Sequence, residues 1–593
     1  MASSPIVEGN HLVTFTITSG GSDIPDTYQI LDIKTTQEVN KIAEAEITIL
    51  DGNTATQDFE VTSADTFAPG AEIEISLGYE STNTSVFKGI VTKQSIKVDG
   101  SGSQLLVTCK DAVITSTVGR KNAVFLDSTD SDIIEQIAGN YSFSNAVTAS
   151  TATHEEVVQF YATDWDFIVS RAEVNGMIVY TDSGTLTVDT PDVSSDPELS
   201  LQFGYDIIEL DAQIDAVSQY SSVEGNSWDM DNQALTNVTA SEPTVNEQGN
   251  LSGSTLGDVL SVTNVLNTSV PITSDSVQAW ADAALLKSRL SRFSGTIVFQ
   301  GSALAKVNSL IQLQGLGDRF NGNAFISGVT HTIEDGQWHT EVKIGLSVDW
   351  FTQKNNTTAP EASGLLQGIR GLQTGVVKQI YEDEGGEYRV EVQIPLLDDD
   401  TATAWARMST FYASNGIGAF FYPEVGDEVI LGFMNNDPRF PIILGSVYST
   451  ALPPPVDIAD ANNYIKMLMT KSQLQIQFDD ENIVMTMVTP NNNTIVISDQ
   501  DEGITITDQN SNQIQMNGDG ITVESQSSMT IKAADDLTIQ ASSITISADN
   551  DVSVSGGSIS ISADQSVSMS GNSGCDISSS AETNISGSMV NLN

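Results

Sequence analysis

The strongest constraint in this 593-residue chain lies at its C-terminal end, from Lys466 onward. There, apolar residues come in pairs two positions apart, and from Ile514 onward the pairs return every seven or eight positions. The series runs Ile504/Ile506, Ile514/Met516, Ile521/Val523, Met529/Ile531, Leu537/Ile539, Ile544/Ile546, Val552/Val554, Ile559/Ile561, Val567/Met569 and Cys575/Ile577, with Thr583/Ile585 in step after it. From Ile521 to Thr583 no step departs from seven or eight. Side chains two apart on an extended chain share a face. Each repeat therefore predicts one short strand with two inward side chains, followed by a Ser/Asp/Asn/Gly turn. Two apolar groups per strand bury no core alone, so such repeats must stack or wind with other chains.

A single-chain β-solenoid spends roughly 20 or more residues per turn on three faces, and one repeat here supplies one face. Three chains giving one face each close a triangular prism, in which each strand pairs above and below at about 4.7 Å. The slim inward residues and the near absence of rings (only Phe478 after position 465) suit a narrow three-chain axis. A one-chain solenoid with three such faces per turn is the alternative. The Ser/Gly/Asp content is disorder-like, but the strict phase of the apolar pairs is not.

The first 450 positions hold the other aromatics apart from Tyr464 and follow another plan. Tyr28–Ile33, Ala45–Ile49, Glu72–Leu77 and Leu105–Thr108 alternate apolar and polar residues, the period of half-buried strands, and Pro69-Gly70 and Asp99-Gly100 mark turns. Helices are predicted after Ser128-Thr129, from Asp164 to Asn175 before Gly176, and from Ser274 to Arg292, where Val277, Trp280, Ala281, Ala284 and Leu285 share a face. A faint repeat links Ile73-Glu-Ile, Phe87-Lys-Gly-Ile-Val, Asp99-Gly100 and Leu105-Leu-Val with Leu310-Ile-Gln-Leu, Phe325-Ile-Ser-Gly-Val, Asp335-Gly336 and Glu341-Val-Lys-Ile. Two related β-barrels in one chain are expected from it. A polar stretch at 352–364 precedes a compact strand-rich segment that ends at Leu452-Pro-Pro-Pro and has the length and strand count of a five-stranded OB barrel.

That segment carries Tyr388-Arg-Val-Glu-Val-Gln-Ile-Pro, Trp405-Ala-Arg-Met, Gly416–Pro423, Val425-Gly-Asp-Glu-Val–Phe433, Asp437-Pro-Arg-Phe-Pro441 and Gly445-Ser-Val-Tyr448. In this order they resemble the VgrG family, the spikes of type VI secretion and related contractile injection systems. Gly328–Leu346 with Trp350-Phe351 is similar to the closing strands of that family's hub. The resemblance implies a mainly β chain: an N-terminal hub at 1–355 with two related β-barrels and a few helices, a linker at 356–371, an OB-fold barrel at 372–450, a second linker at 451–465, and a C-terminal intertwined trimeric β-prism needle at 466–593. It implies a homotrimer whose six hub barrels meet a hexameric inner tube. Other baseplate proteins surround it, and a PAAR-type tip protein sits on Met589, Val590, Asn591, Leu592 and Asn593. The implied role is a central spike that joins tube to tip and punctures the target envelope when the sheath contracts. The alternatives are a contractile phage baseplate hub, or an enzyme-bearing or adhesin-like spike acting on surface polysaccharide. The best-known phage spikes carry a lysozyme domain between barrel and needle, but the stretch from Ser449 to Lys466 is too short for one here. With no toxin extension after Asn593, and with the Leu346–Phe351 ending, the expectation leans to an extracellular contractile particle.

No catalytic site or cofactor is expected. Glu382-Asp383-Glu384 and Asp398-Asp399-Asp400 could be imagined as the carboxylates of a glycosidase, yet both fall between barrel strands where solvated loops belong. His11, His154, His331 and His339 are scattered, and only the last two could meet, across a hairpin. No GxSxG, HExxH, P-loop or calcium-loop spacing occurs. The net charge of −54, and 12 acidic against 4 basic residues in the barrel segment, argue against nucleic acid and anionic membranes. The barrel aromatics Trp405, Phe411, Phe420, Phe421 and Phe433 are expected in its core. Two remote cysteines, Cys109 and Cys575, imply no disulfide framework. Met1–Asn10 lacks a signal peptide's cationic and apolar regions, so synthesis in the cytoplasm is expected, followed by incorporation into a phage tail-like particle that is released or delivered to a target cell.

Overall fold

The computed structural model describes residues 2–7, 12–100, 102–395 and 403–592. It divides into two units, Met1–Ser446 and Val447–Asn593. The first unit is built on one thirteen-stranded sheet with two halves of matching strand order. In one half, Val13–Ser19, Glu72–Tyr79, Thr82–Asp99, Gly102–Lys110, Glu44–Leu50 and Gln29–Glu38 lie side by side. In the other, Leu199–Gln202, Ser309–Gln314, Gly322–Glu334, Gln337–Ile344, Phe293–Gln300 and Ile207–Ile214 take the same six places. The faint sequence repeat is the three-stranded meander at the centre of each half.

The halves join because Gly322–Glu334 is long enough to divide one edge between two partners. Its first residues pair with Ser309–Leu313, and Gly328–Glu334 pairs with Asp32–Glu38. Each half has its own core. Ile33, Ile47, Ile75, Phe67 and Val107 lie in one, and Leu201, Ile297, Phe299, Ile311 and Val342 in the other.

Three helices pack on this scaffold, each opened by a threonine whose hydroxyl accepts a backbone N–H of the first turn: Thr129 before Asp130–Ala138, Thr163 before Asp164–Val174 and Thr273 before Ser274–Leu290. Val277, Ala281, Ala284 and Leu285 of the longest helix are buried as the helical period requires, with Trp280 half-buried. Among the described residues no helix is long and apolar enough to cross a membrane.

The barrel closes through Gln373–Gln379, Val390–Gln393, Thr403–Met408, Pro441–Ser446 and Glu428–Phe433, the last pairing back to the first. Thr403–Met408 and Pro441–Ser446 run parallel and the other pairs antiparallel, which is the OB topology. Its interior is aliphatic: Val377, Val390, Val392, Val429, Leu431 and Ile443. Phe411, Phe420 and Phe421, expected in that interior, are exposed instead. The segment after Met408 leaves the barrel as a small hairpin, Ala413–Ser414 with Ile417–Gly418, and carries its rings with it. Trp405 is half-buried, and Phe433 packs partly against the core.

His331 and His339 stand on paired strands but do not meet. His331 lies opposite Thr340 and His339 opposite Thr332, so alternation sends them to opposite faces. His331 is buried, 2.9 Å from the Thr340 hydroxyl and against Trp338, and burial pushes its pKa down to about 4. An unfolded histidine titrates near 6.5, so between 6.5 and 4 the unfolded state binds the extra proton. Stability contributed by neutral His331 is present above that window and is lost as the pH falls through it, at about 1.4 kcal/mol per pH unit. Thermal melting of the first unit, followed in the full chain between pH 7 and pH 4, is expected to show this slope, with a shallower slope in His331→Gln.

Candidate functional site

The second unit begins with seven strands, Ile465–Met469, Gln475–Asp479, Val484–Val488, Thr494–Ser498, Gly503–Thr507, Gln513–Asn517 and Gly520–Glu524, paired antiparallel in chain order. In each, the second and fourth positions share a face. The register stacks those positions into two columns. One runs Leu468, Ile476, Met487, Ile495, Ile506, Ile514, Val523. The other runs Lys466, Phe478, Met485, Ile497, Ile504, Met516, Ile521. Beyond Lys466 the face carries no charge. From the second strand onward the opposite face is mostly Gln, Thr, Ser, Asn and Val.

The hairpins explain why the chain reverses here. Loops 470–474, 489–493 and 508–512 share one plan. The first residue accepts the N–H of the fourth and donates its own N–H to the carbonyl of the fifth. Its side-chain oxygen also accepts the N–H of the fifth. Gln473, Asn492 and Ser511 take the left-handed conformation that this turn needs. Asn493 and Asn512 then tie successive hairpins together. The Asn493 side-chain oxygen accepts the Gln509 N–H at 3.1 Å, and that of Asn512 accepts the Gln526 N–H at 2.9 Å.

This is a second and longer repeat, Thr470/Thr489/Asp508 with Asn493/Asn512, which the short period of apolar pairs conceals. Its signal is present in the even spacing of the Thr/Asp and Asn positions. Of the expected inward residues, Ile504, Ile506, Ile521 and Val523 belong to this sheet. Their strands pair within one chain, whereas pairing between chains was expected, and Ile506, Ile521 and Val523 are exposed on its apolar face.

After Glu524 the plan changes. Bends fall at 526–527, 534–535, 542, 549–550, 557, 564–565, 572–573, 580–581 and 588, and the segments between them have no strand partner. Each interval from Met529/Ile531 to Cys575/Ile577 holds one apolar pair, and Thr583/Ile585 takes the same places in the next. Every residue from 526 to 592 is exposed in the single chain. One copy alone therefore leaves these pairs uncovered. Ile539, Val554 and Met569, expected inward, are exposed by 64%, 69% and 59%. Leu537, Ile544, Ile546, Val552, Ile559, Ile561, Val567 and Ile577 are exposed as well, and so is Cys575. The physical reason is that one chain supplies one face and places nothing opposite it. Met589, Val590, Asn591 and Leu592 are also exposed, and Asn593 lies outside the described residues. Cys109, by contrast, is buried, and burial pushes its thiol up to about 12.

The acidic loop 382–384 has structural work. The Asp383 carboxylate receives the Arg389 guanidinium at 2.7 Å and the N–H groups of Gly385, Glu387 and Arg389. These bonds, led by Arg389, hold it well below the usual carboxylate range. The Asp398–Asp400 cluster and His11 lie outside the described residues.

The family described as "Type VI secretion system/phage-baseplate injector OB domain" matches residues 373–448, the closed barrel. Over 97 residues the chain is 34% identical to the type VI secretion system spike protein VgrG4b of Pseudomonas aeruginosa, which is 15% of this chain and 12% of that protein's length. It is 32% identical over 87 residues to the actin cross-linking toxin VgrG1 of Vibrio cholerae, covering 14% of this chain and 8% of the toxin. The chain thus matches only a small part of the length of these relatives. A prophage MuSo2 tail protein of Shewanella oneidensis aligns structurally with 56% of this chain and 98% of its own, at 12% identity and a TM-score of 0.43. Barrel and sequence matches together show a chain that is similar, over this part of its length, to VgrG spike proteins. The family described as "Alg8 N-terminal domain" matches residues 9–335, more than half of the chain, and the chain belongs to it.

Asn512→Ala removes the acceptor of the Gln526 N–H and a donor to Asp508. The expected outcome is a loss of about 1 kcal/mol and faster hydrogen exchange at the Gln526 amide, with the Gln509 amide still protected by Asn493.

Proposed function

We propose that this chain is the structural central spike of a contractile injection machine. Three copies wind residues 526–592 into a triangular β-prism, and sheath contraction drives that needle through a target envelope. The observation that carries the reading is the stretch 526–592 itself. A regular succession of apolar pairs is exposed there without strand partners, in a chain whose barrel matches injector OB domains. Backbone polar groups and apolar side chains are both left unburied in one copy, and companion chains would satisfy both. In that arrangement Ile539, Val554 and Met569 turn from exposed to axial. A fully paired prism is stiff along its axis because its hydrogen bonds run continuously through it.

The partners follow from this role: a homotrimer, a hexameric inner tube on the hub, neighbouring baseplate proteins, and a PAAR-type tip protein on Met589–Asn593. The protein acts as part of a phage tail-like particle. No step of its work requires catalysis, and Asp383, tied to Arg389 and three backbone N–H groups, is built as a loop brace and not as a general acid.

Light scattering on the purified chain is expected to give the mass of three copies, and a stable single copy overturns the prism. Ile546→Asp places three carboxylates around an apolar axis, at a cost on the order of several kcal/mol each, whereas Ser547 is one residue out of phase. Melting of Ile546→Asp far below Ser547→Asp supports the inward phase, and equal melting refutes it. Incubation with peptidoglycan is expected to release no soluble fragments, and release that is lost in Glu382→Gln identifies an enzyme.

A further inference from the structure

Where the two halves of the large sheet meet, the first unit encloses a polar cavity of about 50 Å³. An enclosed water takes roughly 10–15 Å³, so the space matches a few waters or one small oxyanion. His331 stands directly opposite Thr35 in the pairing of Gly328–Glu334 with Asp32–Glu38, and both line the cavity. Thr181, on Ile178–Asp182, and Asp111, next after Gly102–Lys110, are buried against it as well. Lys88 and Lys306 line it from exposed positions.

Most of these groups are donors that lack an acceptor. His331 is only 5% exposed. Its Nδ1 lies 2.9 Å from the Thr340 hydroxyl, whose oxygen also accepts the Ser302 N–H at 3.0 Å. With the Thr340 proton given to Nδ1, the neutral ring keeps its own proton on Nε2, and Nε2 has no partner among the described residues. The buried Thr35 hydroxyl has none among them either. The Thr181 hydroxyl accepts the Ala43 N–H at 2.9 Å, which leaves its own proton to give. Lys88 and Lys306 form no ion pair or hydrogen bond with any described residue. A buried donor left unmatched costs free energy that an enclosed acceptor recovers.

Asp111 decides which acceptor fits. Its carboxylate takes the N–H groups of Val113 and Gly184, each at 2.9 Å, and has no ion-pair partner among the described residues. A carboxylate offers about four lone-pair positions, so it can accept further protons. Sulfate brings only acceptors and meets that carboxylate with repulsion. Hydrogen phosphate keeps a P–O–H at neutral pH, gives its proton to Asp111 and accepts from the surrounding donors. A buried carboxylate among donors thus separates the two anions, because the wrong one leaves a polar contact unmatched. Asp182, the other acidic residue on the cavity, is exposed and holds the Ser183 hydroxyl at 2.8 Å. The net charge of −54 repels anions in general, so retention has to come from these local donors.

We propose that this cavity is a binding site for inorganic phosphate, held as hydrogen phosphate among His331, Thr35, Thr181, Asp111 and the two lysines. The bound ion joins Asp32–Glu38 of one half, Gly328–Glu334 of the other and Ile178–Asp182, three segments distant in sequence that converge there. It braces the junction on which the large sheet depends. The site lies within one copy and is independent of the three-chain reading.

Equilibrium dialysis of the full-length chain against radiolabelled phosphate at pH 7 reads affinity and stoichiometry, with sulfate and glycerol phosphate as competitors. One phosphate per chain is expected. Sulfate is expected to compete no better than chloride, and glycerol phosphate, an ester larger than the cavity, not to compete. Lys88→Ala combined with Lys306→Ala alters only exposed side chains and is expected to weaken binding about tenfold or more. Lys93→Ala combined with Lys378→Ala, the same loss of charge at exposed positions elsewhere, is expected to leave it at the wild-type level. Asp111→Asn puts an amide donor where the carboxylate stood and is expected to lift the exclusion of sulfate, read as the ratio of the two affinities. If that variant does not fold, the two lysine pairs decide alone. No saturable binding in wild type shows a cavity filled by water and overturns the site. Competition by sulfate or glycerol phosphate equal to that by unlabelled phosphate overturns it too, as does equal weakening in the two lysine pairs.

Discussion

The obligation of every backbone N–H and C=O to find a partner governs this molecule from end to end. The first unit meets it inside one chain, through a thirteen-stranded sheet and a closed five-stranded barrel. Closure matters for the barrel because it removes edges that would otherwise pair with other chains. Residues 465–524 meet the obligation by reversing direction after every short strand. Residues 526–592 never reverse tightly enough to pair with themselves, and one copy leaves their backbone without a strand partner.

The difference between the last two segments comes down to loop chemistry. A loop opened by Thr470, Thr489 or Asp508 lets the side-chain oxygen hold the N–H of the loop's last residue while one residue adopts positive φ. The chain then folds back on itself, and Asn493 and Asn512 bind each hairpin to the next. After Glu524 the bends, built mostly from Ser, Asp and Asn, turn the chain without bringing consecutive segments into register. The same two-residue apolar spacing thus yields a self-paired sheet in one stretch and an unpaired zigzag in the next.

Much of the site was legible in sequence because it rests on periodicity. The two-apart apolar pairs define one face in either a sheet or a zigzag, and the bends fall between the pairs as the short period requires. The OB barrel was legible through the length and strand count of its segment, and the two related halves of the large sheet through a weak repeat of three strands. Strand direction at 504–524 was not legible from the pairs, because alternation is identical in parallel, antiparallel and interchain pairing. The exposure of Phe411, Phe420 and Phe421 was hidden for a different reason. A ring in a barrel segment reads as core unless the excursion that carries it outward is known.

What the sequence determined by itself was the class of structure and the phase of the repeat: mainly β, an OB barrel, and apolar pairs recurring from Ile504 to Ile577. Those follow from local spacing, which a strand converts into geometry without help from distant residues. What only the tertiary structure decided was which backbone groups pair with which. It joined the two halves of the large sheet through Gly322–Glu334, placed His331 and His339 on opposite faces, ended self-pairing at Glu524 and left Ile539, Val554 and Met569 uncovered in one copy. Pairing is a contest between partners far apart in the chain, settled by strand length, loop geometry and the burial each choice allows, and none of these is written in a local pattern.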